Sequence, residues 1–312
     1  MTRTAPPAID PHIVPAFGTA RNGQALSYNR APAPDLASWI ARLSVAKVRL
    51  PDSYRLSCGL FSDTPSVRVQ LAGEWNHEIA GEPQPPGRAL LFGPHTRLMP
   101  VQVRGSFVSI GVSLRPSACT ALMGAGAVAQ CVDRILPIVS LSEEHLLSIL
   151  PPNASPEEWL CAMEDLARDW IARFTRTDPE PITARFEEIA FLDPCISITQ
   201  AAREIGVDRR RLERLVVRDF GMPPKQVLKR ARALDMASYL RGVADDEEAE
   251  AMALRYYDES HLIREFVELF GMSPRQFTTV AQPLLTFTLE ARQARRLETI
   301  NRLAPGAKRP WQ

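Results

Sequence analysis

Hydrophobic and polar positions follow two different patterns along the chain, and the change falls near residue 116. Between residues 43 and 114, short apolar runs are separated by turn-forming residues, which is typical of an antiparallel sheet. Strands are predicted at residues 55–61, 66–71, 77–80, 88–92 and 101–114. Arg104 and Gly105 are expected to break the last of these into a hairpin. The spacing of the strands favours a small barrel or sandwich.

From residue 116 onward, apolar residues recur every three or four positions, as they do on one face of an amphipathic helix. Helices are predicted at residues 117–123, 127–131, 142–150 and 155–174. The last of these carries the longest apolar stripe, formed by Trp159, Met163, Leu166, Trp170 and Phe174. Such a stripe either packs into a core or forms a dimer interface, and the sequence does not choose between them.

Length and composition indicate a globular protein with two or three domains. The chain has 312 residues, of which 45% are hydrophobic and 23% charged, enough apolar material for a sizeable core. The predicted fold class is α+β: a small antiparallel β-barrel or sandwich with helices, followed by an all-α C-terminal domain. The expected divisions are a poorly ordered, Pro- and Ala-rich arm at 1–36, a first domain at 37–175, a linker at 176–184, a helical domain at 185–280 and a basic C-terminal helix or tail at 281–312.

Several classes of protein are disfavoured by what the sequence lacks. No apolar run approaches the length of a membrane-spanning helix, and the N-terminal region has no apolar signal segment, so a cytoplasmic protein without membrane contact is expected. The five cysteines are scattered, which favours reduced thiols over a disulfide framework or a zinc site. His77, Glu78 and His95 could approach one another on strands, but three loosely placed ligands make a weak metal site. No cofactor is expected.

The net charge of +1 conceals a strong division of charge along the chain. Residues 196–241 carry 11 basic and 5 acidic residues, whereas residues 242–291 carry 3 basic and 10 acidic residues. Residues 292–312 are again basic, with 6 basic residues and 1 acidic residue. Clustered Lys and Arg attract a polyanion because they displace its condensed counterions. A run of charge is also typical of a plain solvated surface, so a more specific feature must decide.

A segment beyond the linker occurs twice, at an offset of fifty residues. Residues 220–226 (Phe-Gly-Met-Pro-Pro-Lys-Gln) return as residues 270–276 (Phe-Gly-Met-Ser-Pro-Arg-Gln). At the same offset Asp208 matches Asp258, Leu212 matches Leu262 and Arg214 matches Arg264. Two copies of one supersecondary unit explain this repeat.

Each copy is predicted to be two helices joined by a tight turn. In the first copy, Ser197 is suited to cap the first helix, Gly206 to form the turn and Asp208 to cap the second helix. The second helix is expected to bury Leu212, Leu215, Val216 and Phe220. Its opposite face bears a row of arginines, which is the helix-turn-helix arrangement that docks into the major groove of double-stranded DNA.

The exposed face of this second helix supplies the candidate DNA-binding residues. Arg209, Arg210, Glu213 and Arg214 are expected to face base edges, since an arginine can donate two hydrogen bonds to one guanine. Arg211, Arg218 and Lys225 flank that face and are expected to contact phosphates.

Residues 256–266 (Tyr-Tyr-Asp-Glu-Ser-His-Leu-Ile-Arg-Glu-Phe), together with the paired units, resemble the AraC/XylS family of bacterial transcription regulators. The resemblance covers residues 185–279. It implies that Arg210, Glu213 and Arg214 read bases in the first unit. It also implies a sensor or dimerisation role for the N-terminal domain, with a small-molecule effector, RNA polymerase and a second copy of the chain as partners. On the second recognition helix the residues that the resemblance implies are Glu259, Ser260, His261, Ile263 and Arg264.

The second unit departs from the family pattern in its first helix. Residues 245–255 are strongly acidic where the family is apolar, and Arg255 stands where a glycine is expected. The second unit is therefore predicted to contribute less DNA affinity than the first.

The alternative function is a barrel-type metal-dependent enzyme fused to a helix-turn-helix, using His77, Glu78 and His95. A third possibility, a DNA-repair protein with a methyl-accepting cysteine, is disfavoured by the wide spacing of the cysteines. Trp75, Phe92 and His95 are candidates to line an effector pocket in the first domain, although each could equally be ordinary core.

Overall fold

The computed structural model describes residues 6–76, 86–245 and 260–312. The predicted strand at 77–80, with His77 and Glu78, lies outside the described residues. So do the acidic segment beyond Asp245 and the start of the second recognition helix, including Glu259.

The first half of the chain forms an antiparallel sheet, which confirms the predicted fold class. Within the described residues the sheet has eight strands in the order β1-β3-β7-β5-β6-β8, with β2 paired to β3 and β4 paired to β7. The strands are β1 (Val14–Pro15), β2 (Tyr28–Arg30), β3 (Ile40–Arg49), β4 (Arg55–Leu60), β5 (Ser66–Asn76), β6 (Ala89–Phe92), β7 (Met99–Leu114) and β8 (Ile135–Pro137).

Strand β7 is one continuous strand, so the predicted hairpin at Arg104 and Gly105 is wrong. Gly105 has a φ of 65°, a conformation that glycine adopts without steric cost. At this glycine β7 changes neighbours: residues 99–104 pair with β4 and residues 107–114 pair with β3. The glycine therefore redirects the strand instead of reversing it.

The prediction of a disordered arm is also wrong for the described part of residues 1–36. β1 and β2 both pair with β3. The pattern of apolar runs and turn-forming residues did not predict β3. Leu26 and Leu36 are each 2% exposed. The segment is ordered by contacts with distant parts of the chain, and such contacts leave no local periodicity in the sequence.

Helices cover most of the second half of the chain. They are α1 (Pro116–Met123), α2 (Ala127–Cys131), α3 (Glu143–Ile149), α4 (Pro156–Phe174), α5 (Pro181–Leu192), α6 (Ile198–Ile205), α7 (Arg209–Phe220), α8 (Pro224–Leu240), α9 (Ser260–Phe270), α10 (Pro274–Thr279) and α11 (Pro283–Thr299). The positions of α1 to α4 follow the predicted helices closely. Ser155 caps α4 through a capping box with Glu158, as the local sequence favours.

The two faces of the sheet pack against different helices. Leu43, Val45, Ile110 and Val112 lie in one core cluster with Trp159 and Met163 of α4. Two of the five stripe residues of α4 are therefore buried core, while Phe174 at its end is 59% exposed. The alternate residues of β3 and β7 lie on the opposite side of the sheet, toward α11.

The C-terminal helix is a central element and not the exposed basic tail that its charge suggested. Arg292, Arg295 and Arg296 of α11 are each less than 9% exposed, and Glu290 is fully buried. Glu290 accepts hydrogen bonds from Ser27 Oγ and Asn29 Nδ2, at 2.9 and 2.8 Å. Burial is possible because the charges on this helix have partners on other elements.

The N-terminal and C-terminal halves share a hydrophobic core. Leu26 and Phe61 from the first half belong to one cluster with Phe266, Phe270 and Leu285 from the second. The Leu98 N–H donates to the Leu269 carbonyl at 2.7 Å. The linker that was predicted at 176–184 is partly helical, since α5 begins at Pro181.

Gly93 provides a test of this packing because its backbone runs directly against α2. A Cβ at this position would lie 1.6 Å from the Cys131 carbonyl oxygen, so Gly93→Ala requires the backbone to move. We expect the free energy of unfolding to fall by about 3–5 kcal/mol in urea titrations. Gly87→Ala is the control, because a Cβ there meets open space and only a φ of 102° opposes it; a loss of about 1 kcal/mol is expected. Similar losses in the two variants would contradict this account.

Candidate nucleic-acid interface

The first unit forms the predicted helix-turn-helix from α6 and α7. Ser197 Oγ accepts from the Gln200 N–H at 3.1 Å and begins α6. Gly206 ends α6 with a φ of 80°, the left-handed conformation that favours glycine. Asp208 Oδ1 accepts from the Arg211 N–H at 2.9 Å and begins α7. The turn is thus set by residues that are recognisable in the sequence.

Helix α7 has a buried apolar face and an exposed cationic face. Leu212, Leu215, Val216 and Phe220 are all less than 9% exposed. Leu212, Val216 and Phe220 pack in the cluster that also holds Phe186 of α5. The opposite side is exposed at Arg209, Arg210, Arg211 and Arg214. The cationic side of the helix is therefore open to a ligand.

The exposed arginines differ in their pairing. Arg209 Nε lies 2.8 Å from Glu213 Oε1, an exposed pair one helical turn apart, which contributes little to stability. Arg210, Arg211 and Arg214 have no ion pair within the described residues. These three are the side chains that can reach DNA without first breaking a contact.

Arg218, which is predicted to contact phosphate, is already paired with carboxylates of the protein. Its guanidinium pairs with Asp219 at 2.7 Å and with Glu180 at 3.3 Å. These carboxylates raise its pKa, with the hydrogen bond to Asp219 as the main cause. Lys225, at the start of α8, is exposed.

The second unit is described from Ser260 onward. On α9, His261 has a side chain that is 71% exposed, and Arg264 is exposed as well. Ile263 is 37% exposed. Glu265 points inward and pairs with Arg232 of α8 at 2.7 Å. Three of the predicted residues therefore share the exposed side of α9.

Two of the eleven basic residues between 196 and 241 are buried. Arg241 is fully buried. It donates to carbonyls of Val280 and Ala8 and to Gln24 Oε1. Arg230 donates to the His95 carbonyl at 3.2 Å. The surface available to DNA is thus narrower than the net charge of the segment suggests, and it is centred on α7.

A buried carboxylate joins α7 to the N-terminal half. Asp219 is fully buried and accepts from Thr120 Oγ1 of α1 at 2.6 Å and from Thr183 Oγ1 of α5 at 2.7 Å. Next to it, a Cβ on Gly221 would lie 2.6 Å from Val132 Cγ2. The first recognition helix is held against α1 and α2 at its C-terminal end, and its exposed arginines lie toward its N-terminal end.

The three candidate pocket residues do not meet in one cavity. Trp75 lines a cavity between the sheet and α11. Phe92 belongs to the core of the sheet and lies under the guanidinium of Arg68, 5.0 Å from the ring centre. His95 is 1% exposed, and its Nδ1 accepts from the Ser62 N–H at 3.1 Å. Arg68, which the sequence analysis did not single out, lines the same cavity as Trp75.

Two further findings concern other kinds of site. Among the described residues, no group of three or more His, Cys, Asp or Glu side chains is placed to hold a metal ion. No helix in the described ranges is long and apolar enough to cross a membrane.

The burial of His95 predicts a dependence of stability on pH. Burial lowers the pKa of His95 to about 4, whereas an unfolded histidine has a pKa of about 6.5. Below pH 6.5 the unfolded chain binds a proton that the folded chain excludes, so stability present above pH 6.5 is lost between about pH 6.5 and 4. The loss should approach roughly 3 kcal/mol.

His95→Asn is the matched control for this effect. The Asn side-chain oxygen can still accept from the Ser62 N–H but does not titrate. Urea unfolding at several pH values should show a shallower acid loss in this variant than in the wild type. Parallel pH profiles for the two proteins would refute the role assigned to His95.

Residues 201–279 match the family model described as "Helix-turn-helix domain". No curated protein sequence matches the chain.

Similar solved structures include ToxT from Vibrio cholerae O395, at 9% identity and a TM-score of 0.43, covering 76% of this chain and 96% of that chain. Wild-type ToxT from Vibrio cholerae strain SCE256, bound to an unsaturated fatty acid, is 11% identical with a TM-score of 0.39 and covers 77% of this chain and 96% of that chain. The AraC-like transcriptional activator CuxR is 15% identical, with a TM-score of 0.26. The match covers 61% of this chain and 80% of that chain. Residues 201–279 of the chain are therefore a helix-turn-helix domain.

Proposed function

We propose that this protein is a sequence-specific DNA-binding transcription regulator, and not an enzyme, and that α7 reads bases in the major groove. The observation that carries the proposal is the open cationic face of α7 on a helix-turn-helix of the matched type. Arg210 and Arg214 lie one helical turn apart on that face and are the base-reading candidates. Arg211 and Lys225, exposed at its margins, are the phosphate-binding candidates.

The second unit is proposed as a weaker DNA contact. His261, Ile263 and Arg264 lie on the exposed side of α9 and could face an adjacent stretch of the groove, together with Glu259 and Ser260. The chain around them carries a net negative charge between residues 242 and 291, which repels phosphates. Affinity is therefore expected to come mainly from the first unit.

The N-terminal half is proposed to sense a small-molecule effector and to bias the DNA-binding units. The support is the hydrogen bond from Thr120 of α1 to Asp219 at the end of α7. Because of this bond, a shift of α1 would displace the recognition helix. A regulator of this kind would act in the cytoplasm, as a homodimer on two half-sites, and would contact RNA polymerase.

Selection of bound sequences from random duplex DNA tests the dimer, since the half-site spacing reports its geometry.

Base reading predicts sequence-dependent losses when the α7 arginines are truncated. On a duplex selected for binding, Arg210→Ala and Arg214→Ala should each lose about 1–3 kcal/mol of binding free energy, or about 5- to 150-fold in Kd. Arg264→Ala on α9 should lose less. Fluorescence anisotropy titrations at fixed salt measure all three.

Arg173→Ala is the control for these variants. Arg173 is exposed on α4 and pairs only weakly with Asp169 at 3.4 Å, so its loss should leave DNA affinity unchanged. Equal losses from Arg214→Ala and Arg264→Ala would contradict the ranking of the two units. Unchanged affinity in both Arg210→Ala and Arg214→Ala would contradict the assignment of α7.

Phosphate binding predicts a different signature for Arg211→Ala. Affinity should fall by a similar factor on selected and random duplexes, because a phosphate contact carries no sequence information. The slope of log K against log salt should become shallower by about 1. A loss confined to the selected duplex would instead place Arg211 on a base.

A further inference from the structure

We infer that a small oxyanion, a carboxylate or a phosphate, binds in the cavity between the sheet and α11, with Arg68 as its principal cationic contact. The inference rests on the proposed function in one respect: it assigns a chemical class to the effector. Three features of the cavity support it: its shape, its charged lining and two buried donors.

The cavity exists because two neighbouring strands place small side chains on the same side of the sheet. These residues are Ser44, Ala46, Ser109, Gly111 and Ser113. Ser44 pairs with Gly111 across the strands, and even a Cβ on Gly111 would lie 2.7 Å from Ser44 Oγ. Leu284 and Phe287 of α11 lie on the opposite side. The cavity volume is about 70 Å³, room for about five water molecules or one small anion.

The lining of the cavity is rich in arginine. Four arginines and one aspartate are among the described residues that line it. Three of the four arginines are compensated by nearby carboxylates. These ion pairs are Arg42 with Glu298, Arg292 with Asp63 and Asp235, and Arg295 with Glu187.

Arg68 is the exception among the four. It has no carboxylate partner in the described part of the chain, and burial lowers its pKa to about 10. Its only hydrogen bond there is from Nη2 to Ser62 Oγ at 3.4 Å, while Nε is buried without an acceptor. A buried cation that lacks a counter-ion is costly, whereas a bidentate oxyanion would satisfy both its charge and its N–H groups.

Trp75 supplies a second buried donor at the same cavity. Its indole Nε1 is buried and has no acceptor within the described residues, and its ring is fixed edge-on against Phe107 at 5.4 Å. An indole N–H can only donate, so this group, like Arg68 Nε, requires an oxygen or another acceptor. Two buried donors without acceptors at one cavity indicate a ligand that brings acceptors.

The position of the cavity explains how a bound ligand could affect the DNA-binding part of the chain. One wall is formed by the sheet and the other by α11, which follows the second helix-turn-helix unit directly in the chain. Arg295 of that wall pairs with Glu187 of α5, and Arg292 pairs with Asp235 of α8. An anion that draws Arg68 and α11 together would therefore act on α5 and α8, the two helices that flank the first unit.

The first test measures thermal unfolding of the full chain at constant ionic strength, with acetate, butyrate, benzoate or inorganic phosphate replacing chloride. A ligand that binds only the folded state raises Tm in a saturable way. We expect such a rise with one of the carboxylates or with phosphate, and the probe that produces it identifies the head group. The absence of a saturable rise with all four probes would overturn the proposal.

Variants then connect binding to the two donors. Arg68→Met removes the uncompensated cation, so the ligand-free protein should have a higher Tm and the saturable shift should disappear. Trp75→Phe keeps an aromatic side chain against Phe107 but removes the indole N–H together with the five-membered ring. It should weaken binding and leave the fold intact. Arg49→Met, at an exposed position on β3, is the control and should bind as the wild type does. Retained binding in both Arg68→Met and Trp75→Phe would overturn the proposal.

The two proposals can fail separately. Anion binding is read from Tm and does not require DNA, so DNA titrations of the α7 variants decide the proposed function alone. If the anion is the effector, adding it should change the Kd of the wild type for DNA and leave the Kd of Arg68→Met unchanged. An Arg68-dependent Tm shift with no change in DNA affinity would overturn the effector assignment.

Discussion

The arginines of the C-terminal helix can be buried only because carboxylates from distant parts of the chain accompany them. Arg292 pairs with Asp63 and Asp235, and Arg295 pairs with Glu187. A buried charge that loses its partner costs about 3–5 kcal/mol, so together these pairs require α5, α8, α11 and the segment between β4 and β5 to lie close to one another. The packing of the whole molecule around α11 depends on this constraint.

One consequence is that the molecule is not two domains joined by a free linker. The N-terminal half shares a hydrophobic core with the second helix-turn-helix unit, and Asp219 ties the first unit to Thr120. Effector control requires that a ligand favour one arrangement of these elements over another. Contacts of this kind provide a direct physical route from the sheet to both units.

The pairing of arginines also separates those that stabilise the fold from those that can bind a ligand. Arg218 and Arg232 each pair with carboxylates, so their charge is compensated within the protein. Arg210 and Arg214 point to solvent, and Arg68 points into a cavity; none of the three is paired within the described residues. The first two suit a polyanion outside the protein, and the third suits a small anion inside it.

The sequence by itself determined the local structure of the helix-turn-helix, because caps, turns and amphipathic periodicity depend on residues within a few positions of one another. Ser197, Gly206 and Asp208 marked the ends of α6 and α7 correctly, and the buried face of α7 was evident from its spacing. The α+β class followed in the same way from the change of period near residue 116.

Only the tertiary structure decided which charges are internal, since a charged side chain looks the same in a sequence whether its partner is water or a residue two hundred positions away. The tail at 281–312 looked like a solvated basic helix. Yet arginines of α11 are buried, because they pair with Asp63, Glu187 and Asp235. The N-terminal segment looked disordered because its order comes from pairing with β3. Arg68 has no motif around it, and its lack of a carboxylate partner within the described residues could be recognised only from the tertiary structure.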